Sequence, residues 1–354
     1  MTVNGAGGEA RRVLICDDSV TYATGLSRLL GRDPEIEVVG VCTSAEETIA
    51  RLAQVEPKPH LVTMDLELPG MSGGDAIEEI MSNRPVPVLV LAGGVERGSE
   101  KALASLAAGA LEVLSKDALD LRDPNGADAQ AFRKRVKMLS GVRVLHHPRA
   151  GLNRQRRSAD GSIPPRGASV IGICASAGGP HALATVLAEI PATFPIPILV
   201  VQHIGHGFIK GFAEWLDDQV PLPVRLAGPG PITAGIWVAP DGAHLALDRG
   251  NRLALDAHGD PGPHRPSADV LLCSVAARAG AHGVGVVLTG MGRDGAGGLA
   301  EVKRAGGLTI AQDEASSAVF GMPKAAAECG VELVLGPARI GRRLRALSPV
   351  RLAS

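Results

Sequence analysis

Aromatic side chains are scarce: two Trp, one Tyr and five Phe make up only 2% of the 354 residues. Any core must therefore be aliphatic. With 45% hydrophobic residues, 45 Gly and 25 Pro, the composition suits buried parallel strands joined by many tight turns, and it argues against disorder throughout. Cysteine is also rare. Cys16, Cys42, Cys174, Cys273 and Cys329 are odd in number, scattered and without a CxxC pair, which argues against a disulfide frame or zinc site and fits a reducing cytosol. No apolar run reaches membrane-spanning length, and the N-terminal MTVNGAGGEARR has no signal core, so a cytoplasmic protein without membrane insertion is expected. Nor is there an excess of charge. The 36 Lys and Arg nearly balance 37 Asp and Glu, leaving no global field for nucleic acid, so a protein or small-molecule partner fits better.

The length exceeds what one core usually organises, which predicts two domains. From Arg11, short aliphatic runs alternate with amphipathic stretches (RRVLICDD, SVTYATGLSRLL, IEVVGVC, SAEETIARLAQ, HLVTMD), and the alternation predicts five strands and five helices in a doubly wound α/β domain over 11–135. Residues 136–167, rich in Arg, Gly and Pro, read as a linker. A second α/β series follows over 168–350, from ASVIGIC to PKAAAECG, again a doubly wound parallel sheet. Its turn-rich middle predicts a β-hairpin addition at the sheet edge.

In an open parallel sheet, functional groups gather at the carboxyl ends of the strands. Asp17 and Asp18 end the first strand, Asp65 the third and Lys116 the fifth, so three carboxylates and an ammonium should converge. Clustered carboxylates repel unless a cation joins them, and an oxygen-only set suits Mg²⁺. Asp65 is best placed as a nucleophile towards phosphorus, with Lys116 balancing the added charge. The plain alternative is that Asp17 and Asp18 cap the helix that follows.

The second domain brings three further strand ends together. Ser176 follows a strand in ICASAGGP, just before a helix that Pro180 can begin, where helix-start N–H groups favour developing negative charge. His203 ends ILVVQH at the same edge. His282 precedes its strand and belongs to the opposite edge, while His244, His258 and His264 fall in loops or at strand starts. Asp294, in LTGMGRDG, supplies a carboxylate. Serine is a poor nucleophile alone; an imidazole that takes its proton and a carboxylate that orients the ring make it a good one. Gly290, Gly292 and Gly295 allow a sharp turn, and the Met291 N–H is placed to help form an oxyanion hole. Taken singly, Ser176 reads equally well as a helix cap or a phosphate-binding serine, and the plainer but less favoured alternative for Asp294 is a turn-stabilising aspartate. Cys174, two residues before Ser176, reads as a buried thiol.

CDDS, MDLELPGMSGGD and LSKD resemble the receiver domain of response regulators, and ASAGGP, VQH, HRPSADVLLCSVA and VVLTGMGRDG resemble the catalytic domain of chemotaxis-type protein-glutamate methylesterases. The two resemblances cover nearly the whole chain. They imply phosphorylation of Asp65 by a histidine kinase, with Mg²⁺ on Asp17, Asp18 and Asp65 and Lys116 at the phosphoryl group. They also imply a Ser176–His203–Asp294 triad, with Met291 at the oxyanion, that needs no cofactor. Its substrates would be glutamate γ-methyl esters of methyl-accepting chemotaxis receptors, and selected glutamines by deamidation. The receiver would cover the catalytic crevice until phosphorylated. Two departures stand out. Ala92 occupies the place where receivers carry Ser or Thr, and Cys174 and Ala177 stand where this family often has Gly and Thr, which predicts altered rate or substrate fit without loss of chemistry. The competing function is a non-enzymatic output module that works by binding a protein. A DNA-binding output is disfavoured, since strands alternate with helices after the linker and no basic recognition helix appears.

Overall fold

The RRVLIC run forms β1 (Arg11–Cys16), buried along almost its whole length, because a parallel strand covered on both faces has no solvent side. In the computed structural model the described residues are 9–94, 99–142, 166–258 and 264–350. They divide into two compact units, Met1–Pro148 and Arg149–Ser354.

The first unit continues through α1 (Val20–Leu30), β2 (Ile36–Cys42), α2 (Ala45–Gln54), β3 (Leu61–Asp65), α3 (Gly73–Asn83), β4 (Val88–Ala92), α4 (Ser99–Ala107), β5 (Glu112–Ser115) and α5 (Ala127–Leu139). Its parallel sheet runs β2-β1-β3-β4-β5. The chain leaves β1 to one side for β2 and returns to the other for β3. A crevice therefore opens at the carboxyl ends of β1 and β3, where Asp17 and Asp65 lie. Helix α5 runs past residue 135 to Leu139, so the first residues assigned to the linker are helical. Phe132, Val136 and Leu139 recur at helical spacing and are buried, which holds this last turn down. The linker residues 143–165 lie outside the described residues.

The second unit comprises β6 (Gly167–Ala168), β7 (Val170–Ala175), α6 (Gly179–Leu187), β8 (Ile198–Gln202), α7 (Ile209–Gln219), β9 (Val224–Leu226), β10 (Gly230–Pro231), β11 (Ile236–Val238), β12 (His244–Leu247), β13 (Arg252–Asp256), α8 (Ala268–Ala279), β14 (Gly283–Val287), α9 (Ala296–Arg304), β15 (Leu308–Gln312), α10 (Met322–Glu328), β16 (Leu333–Leu335), α11 (Pro337–Arg345) and β17 (Ser348–Pro349). Seven strands form one parallel sheet in the order β16-β15-β14-β7-β8-β11-β9. Strand β7 is the switch point, with β8 on one side and β14 on the other.

The turn-rich middle behaves differently from a simple edge hairpin. Strands β9 and β11 extend the parallel sheet, while β12 and β13 form the antiparallel hairpin within a separate small sheet ordered β10-β13-β12. Leu245, Leu247 and Leu253 of that sheet share a buried cluster with Leu271, Leu272 and Val275 of α8. That burial fixes the start of α8 beside the carboxyl edge of the main sheet. Among the described residues, no helix is long and apolar enough to cross a membrane.

Candidate active site

In the first unit the acidic residues converge as expected. Lys116 Nζ lies 2.7 Å from both Asp17 Oδ2 and Asp65 Oδ2. One carboxylate oxygen from each of Asp17, Asp18 and Asp65 falls within 4.8 Å of the others, with Asp17 and Asp65 buried and Asp18 exposed. The capping alternative fails for these aspartates. Ser19 caps α1, accepting from the Tyr22 N–H, while Asp17 accepts from the Ser19 N–H at 3.0 Å, ahead of the helix, and from Lys116. Burial pushes the Asp17 carboxyl above its ordinary range, against the pull of Lys116. Burial also works against the Lys116 ammonium, but its bonds to Asp17 and Asp65 outweigh this and hold it above the usual lysine value. Two buried carboxylates served by one ammonium, with an exposed third beside them, are an oxygen-rich set that fits a divalent cation. Ala92 ends β4, buried and without a hydroxyl.

In the second unit, β7, β8 and β14 deliver Ser176, His203 and Asp294 to one edge. The His203 N–H donates to the Ala175 carbonyl at 2.9 Å, and the Ser176 N–H donates to the Thr289 carbonyl at 3.0 Å, tying the three strand ends together. His203 Nε2 is 3.0 Å from Asp294 Oδ2, both side chains being largely buried. The approach is close, though it falls short of a well-aligned hydrogen bond. Ser176 makes its contacts through the backbone: its carbonyl accepts from the Gly179 N–H and from Gln202 Nε2, both at 2.8 Å. The described hydrogen bonds do not join its hydroxyl to the His203 ring.

The LTGMGRDG turn wraps this edge. A methyl group at Gly290 would lie 2.7 Å from Ser176 Cβ and 2.3 Å from Met322 Sδ, so only glycine lets the turn pass this close to the serine. Gly292 and Gly295 have positive φ, at 89° and 92°. The Met291 N–H, one residue on from that close approach, has no acceptor among the described residues. An oxyanion hole is built from amides left unengaged in this way.

Several neighbours were not assigned roles on sequence grounds. Asp294 sits at the start of α8, accepting from the Ser267 hydroxyl at 3.0 Å, the Ala268 N–H at 2.8 Å and the Asp269 N–H at 2.9 Å. Burial alone would raise its carboxyl, but His203 and these amides outweigh burial and hold it well below the carboxylate range. Asp269 returns the favour at α9, accepting from the Gly295 and Gly298 N–H groups at 3.0 and 2.6 Å. The two aspartates thus cap each other's helices. The Ser267 N–H donates to His244 Nδ1 at 3.1 Å, and the His264 ring stacks on His203 with centroids 4.5 Å apart. The local signal was the segment HRPSAD, a Ser at a helix start followed by an acidic residue in the first turn. Cys174 is fully buried, and burial pushes its thiol up, as befits an inert core residue. His282 lies at the opposite edge, where its carbonyl accepts from the Ser169 N–H.

A receiver-type unit followed by a seven-stranded parallel unit, with Ser, His and Asp at adjoining strand ends, defines a response regulator whose output domain is an enzyme. Residues 13–122 match the family model for the response regulator receiver domain, and residues 171–344 match that for CheB methylesterase. The chain is 43% identical over 324 residues to a protein-glutamate methylesterase/protein-glutamine glutaminase of Myxococcus xanthus, covering 89% of this chain and 87% of that one. It is also 43% identical over 351 residues to one of Anaeromyxobacter dehalogenans, covering 97% and 99% respectively. Among solved structures, the catalytic domain of Thermotoga maritima CheB is 36% identical, with a TM-score of 0.48, and spans 50% of this chain and 97% of its own. The chain belongs to the CheB methylesterase family.

Proposed function

We propose that the chain hydrolyses glutamate γ-methyl esters on chemotaxis receptors through Ser176, His203 and Asp294, and that phosphorylation of Asp65 accelerates it. The observation that carries this reading is the 3.0 Å contact between His203 and Asp294 beside the end of the Ser176 strand. With Nε2 turned to the carboxylate, Nδ1 is the ring nitrogen left to act as base. Ser176 Oγ attacks the ester carbonyl and passes its proton to Nδ1. The Met291 N–H donates to the developing oxyanion, and Asp294 stabilises the imidazolium. Collapse breaks the ester C–O bond, and the departing methoxide takes the proton from His203 and leaves as methanol. Water then attacks the acyl-serine with His203 again accepting a proton, releasing the glutamate side chain and restoring Ser176. The same acyl-serine would form from a glutamine side chain with loss of ammonia, which supports a glutaminase activity.

In the receiver unit, Asp17, Asp18 and Asp65 would hold Mg²⁺, which when bound neutralises the charge that builds between carboxylate and phosphoryl donor. Asp65 accepts the phosphoryl group from a histidine kinase, and Lys116, already on Asp65, balances the charge added there. A small phosphodonor is therefore expected to accelerate methanol release by wild type and to leave Asp65→Ala at its unstimulated rate. Equal wild-type rates with and without donor would remove the regulatory half of the proposal.

A second expectation concerns the turn. Gly290→Ala is expected to lower methanol release about 10²-fold, the usual result of displacing a reacting group by an ångström. The added methyl must also displace Met322 or Ser176, at a cost of about 1–3 kcal/mol. A rate assay beside urea unfolding separates the two effects. A fully active Gly290→Ala would show that the close approach has no bearing on the nucleophile.

A further inference from the structure

Tyr22 is the only tyrosine in the chain, and it stands in the first turn of α1, its backbone N–H held by the Ser19 cap. Lys116 Nζ lies over its ring, 4.6 Å from the centroid, and the same ammonium touches Asp17 and Asp65 at 2.7 Å. The phenolic oxygen is buried and has no hydrogen-bond partner among the described residues. A buried hydroxyl without a protein partner is uncommon and calls for a group to bond to. Burial, with the charges of Asp17 and Asp65, raises the phenol, so its oxygen keeps a proton to donate. Meanwhile Ala92, at the end of β4, has no hydroxyl to offer.

We propose that Tyr22 supplies the missing donor: its O–H bonds to the phosphoryl group carried by Asp65 and so reports the phosphorylation state to helix α1. This rests on the reading that Asp65 accepts phosphate. Lys116 is the common neighbour of the two groups, its ammonium lying over the Tyr22 ring and against the Asp65 carboxylate. Phosphorylation would then draw on the side chain of α1 in place of one at the end of β4.

The test uses the full chain with tyrosine labelled by ¹³C at Cζ, so that a single resonance reports Tyr22, together with intact-mass measurement of phosphate on the protein. Acetyl phosphate with Mg²⁺ is expected to add phosphate to wild type and shift the resonance, and to do neither in Asp65→Asn. Tyr22→Phe keeps the ring over Lys116 and loses only the hydroxyl. Its stimulation by acetyl phosphate is expected to fall about tenfold, the scale of one hydrogen bond to a charged group, and Ala92→Ser in the Tyr22→Phe background is expected to restore it. Phosphate on Asp65 with an unmoved resonance, or Tyr22→Phe stimulated like wild type, overturns the role of Tyr22 and leaves the receiver reading standing. Failure of Asp65 to take up phosphate at all overturns both.

Discussion

Ser176→Ala is expected to reduce methanol release from a methylated receptor fragment by 10⁴-fold or more, as loss of the nucleophile does in other serine hydrolases (~10⁶ in kcat). It should do so without cost to the fold. The contacts that hold residue 176 are made by its backbone, to Thr289, Gly179 and Gln202, and alanine preserves them. Only the Oγ atom is lost, from a side chain whose hydroxyl the described hydrogen bonds leave unengaged. Thermal unfolding should therefore change little while the rate collapses. The same variant separates the enzyme from a module that works by binding alone. Full signalling output from Ser176→Ala would mean that hydrolysis is not how this chain acts.

Asp294→Asn is expected to be nearly as damaging to rate, about 10⁴-fold, and unlike Ser176→Ala it should also weaken the fold. An amide cannot accept at both oxygen positions. Asp294 uses Oδ1 for the Ser267 hydroxyl and the Asp269 N–H, and Oδ2 for the Ala268 N–H and His203 Nε2. Asparagine must therefore set an NH₂ group against donors on one side. The loss of an anion at the start of α8 adds a cost of up to about 2 kcal/mol for a partly buried helix end.

The sign of the pH dependence follows from the carboxyl being held below its usual range in the folded protein. The unfolded chain then binds more protons than the folded one in the window between the folded value and the ordinary aspartate value near 3.9. Asp294 thus contributes stability fully above about pH 4, and that contribution fades as pH falls through the window. Urea unfolding of wild type and Asp294→Asn from neutral to acid pH is expected to show a gap that narrows below about pH 4. A gap that stays constant to the acid end would mean that His203 and the α8 amides do not stabilise the charge.

The strand ends were legible in the sequence because parallel strands are read twice over, once as aliphatic runs and once by the residue that terminates them. ILVVQH and HLVTMD announce His203 and Asp65 in this way. The hairpin's residues alternate as any edge strand would, which points to the edge of the main sheet, whereas its partner is the apolar face of α8, which is distant in the chain. Helix α11 carries little signal in the sequence because it is short and Arg-rich, with Ile340 and Leu344 its only large buried side chains. The surroundings of Asp294 were illegible for a different reason. A helix-start amide bonded to a carboxylate 26 residues away leaves no trace in either segment alone. Tyr22 likewise looked like one more residue of an amphipathic helix, and only the position of Lys116 gives it meaning.

The crossed caps of α8 and α9 bear on how such a chain can decay. A copy released from selection for hydrolysis can exchange Ser176 for alanine, since the described hydrogen bonds of residue 176 are made by its backbone. Asp294 is not free in that way, for it also anchors a helix whose partner, Asp269, anchors the next. Descendants that have become inactive should therefore tend to lack the serine and keep the aspartate. An intact Asp294 in a relative is accordingly poor testimony that the relative is still an enzyme.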